Sequence, residues 1–164
     1  MLINSLLKPE IKKWFIKSAE SELYASNLYK HIANQLQRLG FFGAQKYYLK
    51  ESAEELVHYQ KLVDFVNDMA DVLPVPAVPA MADRVTSIED ALNISYETEL
   101  DLMKQYQQFY NEAEEKYKDC VTATFLIEFL QIQRKSVGEY GDFISRFQNN
   151  KTDVFEFDEY LSEA

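Results

Sequence analysis

Tyr48-Leu49-Lys50-Glu51-Ser52-Ala53-Glu54-Glu55-Leu56-Val57-His58-Tyr59 holds a contradiction that few folds resolve. A helix turns about 100° per residue, so side chains spaced by three, four and seven share one face. Tyr48, Ser52, Glu55, Tyr59, Leu62 and Val66 form such a stripe, with Leu49, Phe65 and Met69 close by, and His58 stands one turn beyond Glu55. A carboxylate and an imidazole therefore project from the apolar side of a helix. An unpaired buried carboxylate is costly. Beside a histidine at i+3, the most economical partner is a metal ion.

The same conflict recurs in three other stretches. The first predicted helix runs from about Pro9, suited to a first turn, to about Arg38, with Gly40 as the stop. Its stripe is Ile11, Phe15, Ser18, Glu22, Ala25, Tyr29, Ala33 and Leu36, with Glu22 in the middle. The second helix follows the short link Gly40–Gly43 and runs to about Ala70, which makes the two antiparallel neighbours. A third helix starts near Ser87, an N-cap with Asp90 three residues on, and runs to about Tyr117. Its stripe is Ile88, Leu92, Ser95, Glu99, Met103, Tyr106, Tyr110 and Ala113. A fourth spans about Val121 to Phe147, with Leu126, Phe129, Leu130, Gln133, Val137, Tyr140, Ile144 and Phe147 on its stripe. A small terminal helix covers Val154 to Ser162.

Between the second and third helices, Asp71 to Thr86 carries Pro74, Pro76 and Pro79 and cannot be helical. About 16 extended residues reach roughly 50 Å, against roughly 42 Å for a helix of about 28 residues. The segment can thus cross the full length of a bundle. A linker between two domains is the alternative, but neither helix pair could bury its stripe alone. The expectation is one all-α domain over residues 1–164: a four-helix bundle with one long crossover and a short fifth helix.

Glu22, Glu55 with His58, Glu99 and Gln133 each interrupt an apolar stripe near its middle, so the bundle would bring them to one height. Three carboxylates, an imidazole and an amide form a hard-to-borderline donor set suited to Fe(II), Mn(II) or Zn(II). Glu55 is placed to bridge two ions. Read singly, each polar residue is an ordinary satisfied core residue; four at mid-helix argue for a site. Tyr29, seven residues after Glu22, faces the same region, either as a hydrogen-bond partner of a carboxylate or in a redox role. His31 falls on the opposite face and reads as a surface or interface residue. Glu54 reads as solvated, and Lys8, Lys12, Lys13 and Lys17 as a solvated helix face.

Composition agrees. With 47% hydrophobic residues and only four glycines and four prolines, three of the prolines between 74 and 79, the chain is helical and has a core. A net charge of −10 disfavours nucleic acid and anionic membranes and attracts cations. The single Cys120 excludes an internal disulfide and suits a reducing compartment. No apolar run is long enough to span a membrane, and Met1–Lys8 lacks the features of a signal peptide. Cytoplasm is the expected location, with the sequons at Asn93 and Asn150 unused.

On these residues the sequence resembles the non-haem, cage-forming ferritins. The resemblance covers nearly the whole chain and is carried by Glu22-Leu23-Tyr24-Ala25-Ser26-Asn27-Leu28-Tyr29, by Glu54-Glu55-Leu56-Val57-His58, and by Glu99 and Gln133. It implies a ferroxidase that oxidises Fe(II) with O₂ at a dinuclear iron site and stores ferric mineral in a homo-oligomeric shell of 24 subunits. Glu22, Glu55 and His58 would hold the first iron, Glu55 and Glu99 the second, with Gln133 nearby; Tyr29 matches the family's site tyrosine. Where relatives carry third-site glutamates on the fourth helix, this chain has Ile132, Lys135 and Ser136. The acidic residues of the relatives' three-fold channels have no clear match around Thr122 to Leu126. The fourth helix also lacks a second Glu-x-x-His, unlike bacterioferritin and rubrerythrin. A DNA-protecting mini-ferritin or a non-catalytic helical shell are the rival readings.

Overall fold

The computed structural model describes residues 3–149 and 153–164. Four long helices and one short one follow in order: α1 (Pro9–Leu39), α2 (Phe42–Asp68), α3 (Ile88–Asn111), α4 (Cys120–Asn149) and α5 (Val154–Glu163). A π-helical turn, Glu112–Lys116, continues α3. The sequon at Asn150 lies outside the described residues; Asn93 is exposed on α3.

The helix ends follow local chemistry. Pro9 opens α1, and Gly40 closes it in the left-handed region at φ 87°, donating its N–H back to the Gln37 carbonyl. Ser87 caps α3 by accepting from the Asp90 N–H at 3.0 Å. Asp153 does the same for α5, accepting from Phe155 and Glu156. Phe41 gives α2 no such cap. Instead Asp158 on α5 reaches back and accepts from the N–H groups of Gly43 (3.1 Å) and Ala44 (2.7 Å). A Cβ at Gly43 would lie 1.9 Å from the Asp158 carbonyl oxygen, so glycine permits this docking.

Every residue of the expected α1 stripe is buried. The α4 stripe is corrected: Leu130, Val137, Ile144 and Phe147 are only half-buried, while Phe143 enters the core. Met103, Tyr110 and Tyr59 are likewise half-buried, and Leu102 and Phe109 take core positions on α3. The expected single helix to Tyr117 changes register at the π turn, where the Trp14 indole N–H donates to Glu112 at 2.8 Å. The crossover carries no helix, and its Leu73 and Val85 are buried. His31, expected as a surface or interface residue, is half-buried and pins the crossover: its Nε2 lies 2.8 Å from the Asp83 carbonyl. Gln35 reinforces it, donating to the same carbonyl (3.1 Å) and accepting from Val85 N–H (2.9 Å). Lys12 pairs with Asp71 at the crossover's start, at 2.6 Å.

Candidate metal centre

All four long helices contribute a candidate side chain near their middle, and α2 contributes both Glu55 and His58, which is why the bundle can gather them. Glu22 (α1), Glu55 (α2), Glu99 (α3) and Gln133 (α4) are all buried, at 2% exposure or less, in a core otherwise built of aromatic and aliphatic groups. One donor atom from each of Glu22, Glu55 and His58 lies within 4.8 Å of the others. His58 Nδ1 is 3.1 Å from Glu55 Oε2 and 3.8 Å from Glu22 Oε2. The edge of the Phe129 ring packs against the imidazole.

Glu99 joins through its partners. The Tyr29 hydroxyl donates to its Oε1. With the Gln133 amide nitrogen turned toward it, Gln133 donates to Glu99 Oε2 at 2.9 Å and to the Glu99 carbonyl at 3.3 Å. Gln133 thus engages the group through its nitrogen. The Tyr106 hydroxyl donates to Glu22 Oε1. The sequence stripe contained Tyr106 but gave it no role. The signal was present, because Tyr106 follows Glu99 by seven residues as Tyr29 follows Glu22.

Burial dominates the electrostatics. Desolvation, reinforced by the Glu55 charge, raises the Glu22 carboxyl well above its ordinary range. Desolvation with the Glu99 charge pushes Glu55 up to about 8. Glu99 is raised to about 8 by desolvation and the Glu22 charge, against the Tyr29 hydrogen bond. Burial and the adjacent carboxylates likewise keep the Tyr29 and Tyr106 phenols un-ionised. Glu22 Oε2 meets no N–H or O–H of another residue type; its one hydrogen-bond partner is the Glu55 carboxyl, when a proton is held between them.

Buried oxygen normally finds a partner. Here one Glu22 oxygen has only the Glu55 carboxyl beside it and an imidazole nitrogen at 3.8 Å, so once both carboxyls ionise it has no donor. A cation placed among them would satisfy the ionised oxygens and offset the desolvation that, with the neighbouring charges, holds the carboxyls protonated. The donor set, carboxylate oxygens with one imidazole, fits a divalent ion of hard-to-borderline character.

A bundle whose long helices each deliver one polar group to a buried carboxylate–imidazole cluster is of the class built to hold metal ions in its core. Comparison with known proteins makes this specific: the sequence model of the Ferritin-like domain family matches residues 17–149, and the chain belongs to that family. A bacterial non-heme ferritin of Staphylococcus saprophyticus is 24% identical over 162 residues, covering 96% of this chain and 95% of that protein. A probable bacterial non-heme ferritin-like protein of Haemophilus influenzae is 25% identical over 130 residues, covering 79% and 78%. Among solved structures, an open-pore ferritin from Archaeoglobus fulgidus superposes with a TM-score of 0.92 at 22% identity, covering 96% of this chain and 98% of that one. That likeness fixes the fold, including the long crossover and the short fifth helix.

Proposed function

We propose that the chain is a single-domain subunit of a cytoplasmic iron-storage shell, with 24 copies assembling as in the family it resembles. We further propose that it oxidises Fe(II) with O₂ at a dinuclear centre formed by Glu22, Glu55, His58, Glu99 and Gln133. The observation that carries the reading is the convergence of Glu22, Glu55 and His58 within 4.8 Å inside an apolar core. The ferritin names of the curated relatives support the storage role.

On this reading Fe(II) is the substrate. Glu22, Glu55 and His58 bind one ion, and Glu55 and Glu99 bind a second, so that Glu55 lies between them. Each Fe(II) gives one electron to O₂. Carboxylate oxygens stabilise Fe(III) more than Fe(II), which favours electron loss. The residues also move protons. Glu55 and Glu99, raised to about 8, are largely protonated at neutral pH and must release protons as Fe(II) arrives. Tyr106 holds Glu22 in place from one side, and Tyr29 and Gln133 hold Glu99 from another. His58 supplies the one nitrogen donor and sets the geometry of the first position.

The test is Glu55→Ala, assayed by stopped-flow absorbance and O₂ consumption on apo protein dosed with Fe(II). Fast oxidation should be lost, whereas Glu22→Ala and His58→Ala should impair it more selectively. Wild-type initial rates in Glu55→Ala would place the centre elsewhere. Light scattering on the apo protein tests the shell: a stable monomer or dimer would remove the storage role.

A further inference from the structure

The carboxylates of the centre are not held alike, and the difference falls on individual oxygens. The Tyr106 hydroxyl, delivered by α3, donates to Glu22 Oε1. Glu22 Oε2 faces the Glu55 carboxyl instead, with His58 Nδ1 3.8 Å away. Glu99 carries a donor on each oxygen, Tyr29 on Oε1 and Gln133 on Oε2. Glu22 therefore turns one engaged oxygen toward α3 and one open oxygen toward Glu55 and His58.

Packing fixes that contact. Tyr106 is fully buried, and its ring lies on Phe129 with centroids 4.9 Å apart. The same Phe129 ring meets the His58 imidazole edge-on at 6.3 Å. Tyr106 thus bears on two of the three residues of the first position, on Glu22 by its hydroxyl and on His58 through Phe129. A carboxylate can give an ion one oxygen or both. With Oε1 engaged by Tyr106, Glu22 offers Oε2 alone, and Glu22, Glu55 and His58 then present three donor atoms within 4.8 Å of one another. Three protein donors suit ions such as Zn²⁺ and Fe(II), and the imidazole adds to that preference. Larger oxygen-seeking ions, Ca²⁺ above all, take about six to eight oxygens and gain from carboxylates that give both.

We propose that Tyr106 is a positioning residue that sets the metal selectivity of the first position. By occupying Glu22 Oε1 it confines Glu22 to one-oxygen binding, and so disfavours Ca²⁺ and Mn²⁺ relative to Zn²⁺ and Fe(II). The hydroxyl acts through Glu22, and the inference rests on the reading of Glu22, Glu55 and His58 as an ion-binding group.

The experiment uses Tyr106→Phe in the full-length apo protein, which keeps the ring on Phe129 and removes only the hydroxyl. With O₂ excluded and less than one Co²⁺ per chain, the visible d–d bands should weaken relative to wild type, because a second Glu22 oxygen raises the coordination number. In equilibrium dialysis with Zn²⁺ competing against Mn²⁺ or Ca²⁺, the preference for Zn²⁺ should fall severalfold. A role confined to stability would weaken every ion alike, leaving the ratios and the Co²⁺ bands as in wild type, and that result would overturn the proposal. His58→Ala separates this inference from the reading beneath it. Co²⁺ bands altered by His58→Ala but identical in wild type and Tyr106→Phe refute the selectivity role alone. Bands that His58→Ala leaves untouched remove the proposed centre and the inference together.

Discussion

The protonation of the buried carboxyls gives the most direct quantitative test. Burial pushes Glu55 and Glu99 up to about 8, so at pH 7 the pair is largely protonated in the apo protein. An ion that binds their carboxylate forms must displace those protons. More than about one proton should therefore leave Glu55 and Glu99 when the centre fills at pH 7, and well under one at pH 9. Glu22, also raised, adds to the release at pH 7. Zn²⁺ serves as a redox-silent probe. Calorimetric titration in phosphate and in Tris, whose ionisation enthalpies differ, reads the number released. Release below about 0.3 protons per chain at pH 7 would mean that the carboxyls are already ionised, and the desolvation argument would fail.

The same groups set the sign of the pH dependence of stability. The folded protein holds these carboxyls protonated up to about 8, whereas the unfolded chain releases the protons near 4.5. Between those limits the folded state binds more protons. Apo stability should therefore fall as pH rises through the window, by up to about 1.4 kcal/mol per pH unit for each such carboxyl. Below the window both states are protonated, and above it both are ionised, so the slope vanishes. Denaturant unfolding of the apo protein at several pH values, in chelator and in excess Zn²⁺, should show the decline only in chelator.

Three further outcomes are expected. Gln133→Glu should leave the oxidation rate of a first small Fe(II) dose near wild type but slow a second dose given minutes later, because a fourth carboxylate retains Fe(III); equal recovery in sequential stopped-flow mixing would count against it. Asp158→Ala removes the acceptor for two N–H groups at the start of α2 and should cost about 1–2 kcal/mol, seen as a thermal midpoint lower by several degrees. Gly43→Ala should destabilise at least as much, since its Cβ would collide with α5 backbone, and limited proteolysis should then cut α5 faster than in wild type.

Where periodicity alone fixes a face, the sequence was enough. The α1 stripe, including Glu22 and Tyr29, is buried as read, because thirty-one residues without a break hold one register. On α4 that reading drifted. Between Leu130 and Phe147 a spacing of three or four fits two adjacent faces equally, and packing decides: Phe143 goes in against Tyr47, while Phe147 turns to Phe157 of α5. The π turn had no local signal; its first residue, Glu112, is met by the Trp14 indole from about a hundred residues earlier. Distance also hid the His31 contact with Asp83 and the Asp158 cap on α2, since no local pattern marks a partner that another element delivers. The candidate site residues stood out in the sequence because each violates its own stripe, and the structure brings Glu22, Glu55 and His58 together. Their protonation had no such signal, as it depends on how completely the bundle excludes water.

That exclusion has a recognisable construction. Tyr29, Tyr48, Tyr106 and Tyr140 each stand seven residues from a candidate site residue on the same helix: Glu22, Glu55, Glu99 and Gln133. Because α1 and α2 run antiparallel, Tyr29 and Tyr48 fall on one side of the centre, where Tyr140 joins them with ring centroids 5.8–6.5 Å apart. Tyr106 packs instead on Phe129, 4.9 Å away. Aromatic rings thus pack around the carboxylates, while the Tyr29 and Tyr106 hydroxyls give them only two donors. Apolar residues of similar volume at Glu22, Glu55 and Glu99 would be expected to make a more stable bundle. The arrangement is therefore intelligible as one that withholds solvent from charge, so that an arriving cation meets carboxylates with little competing water. By mass action, the unfavourable burial that such an ion relieves reappears as affinity for it, and the folded bundle is stabilised in proportion to its occupancy.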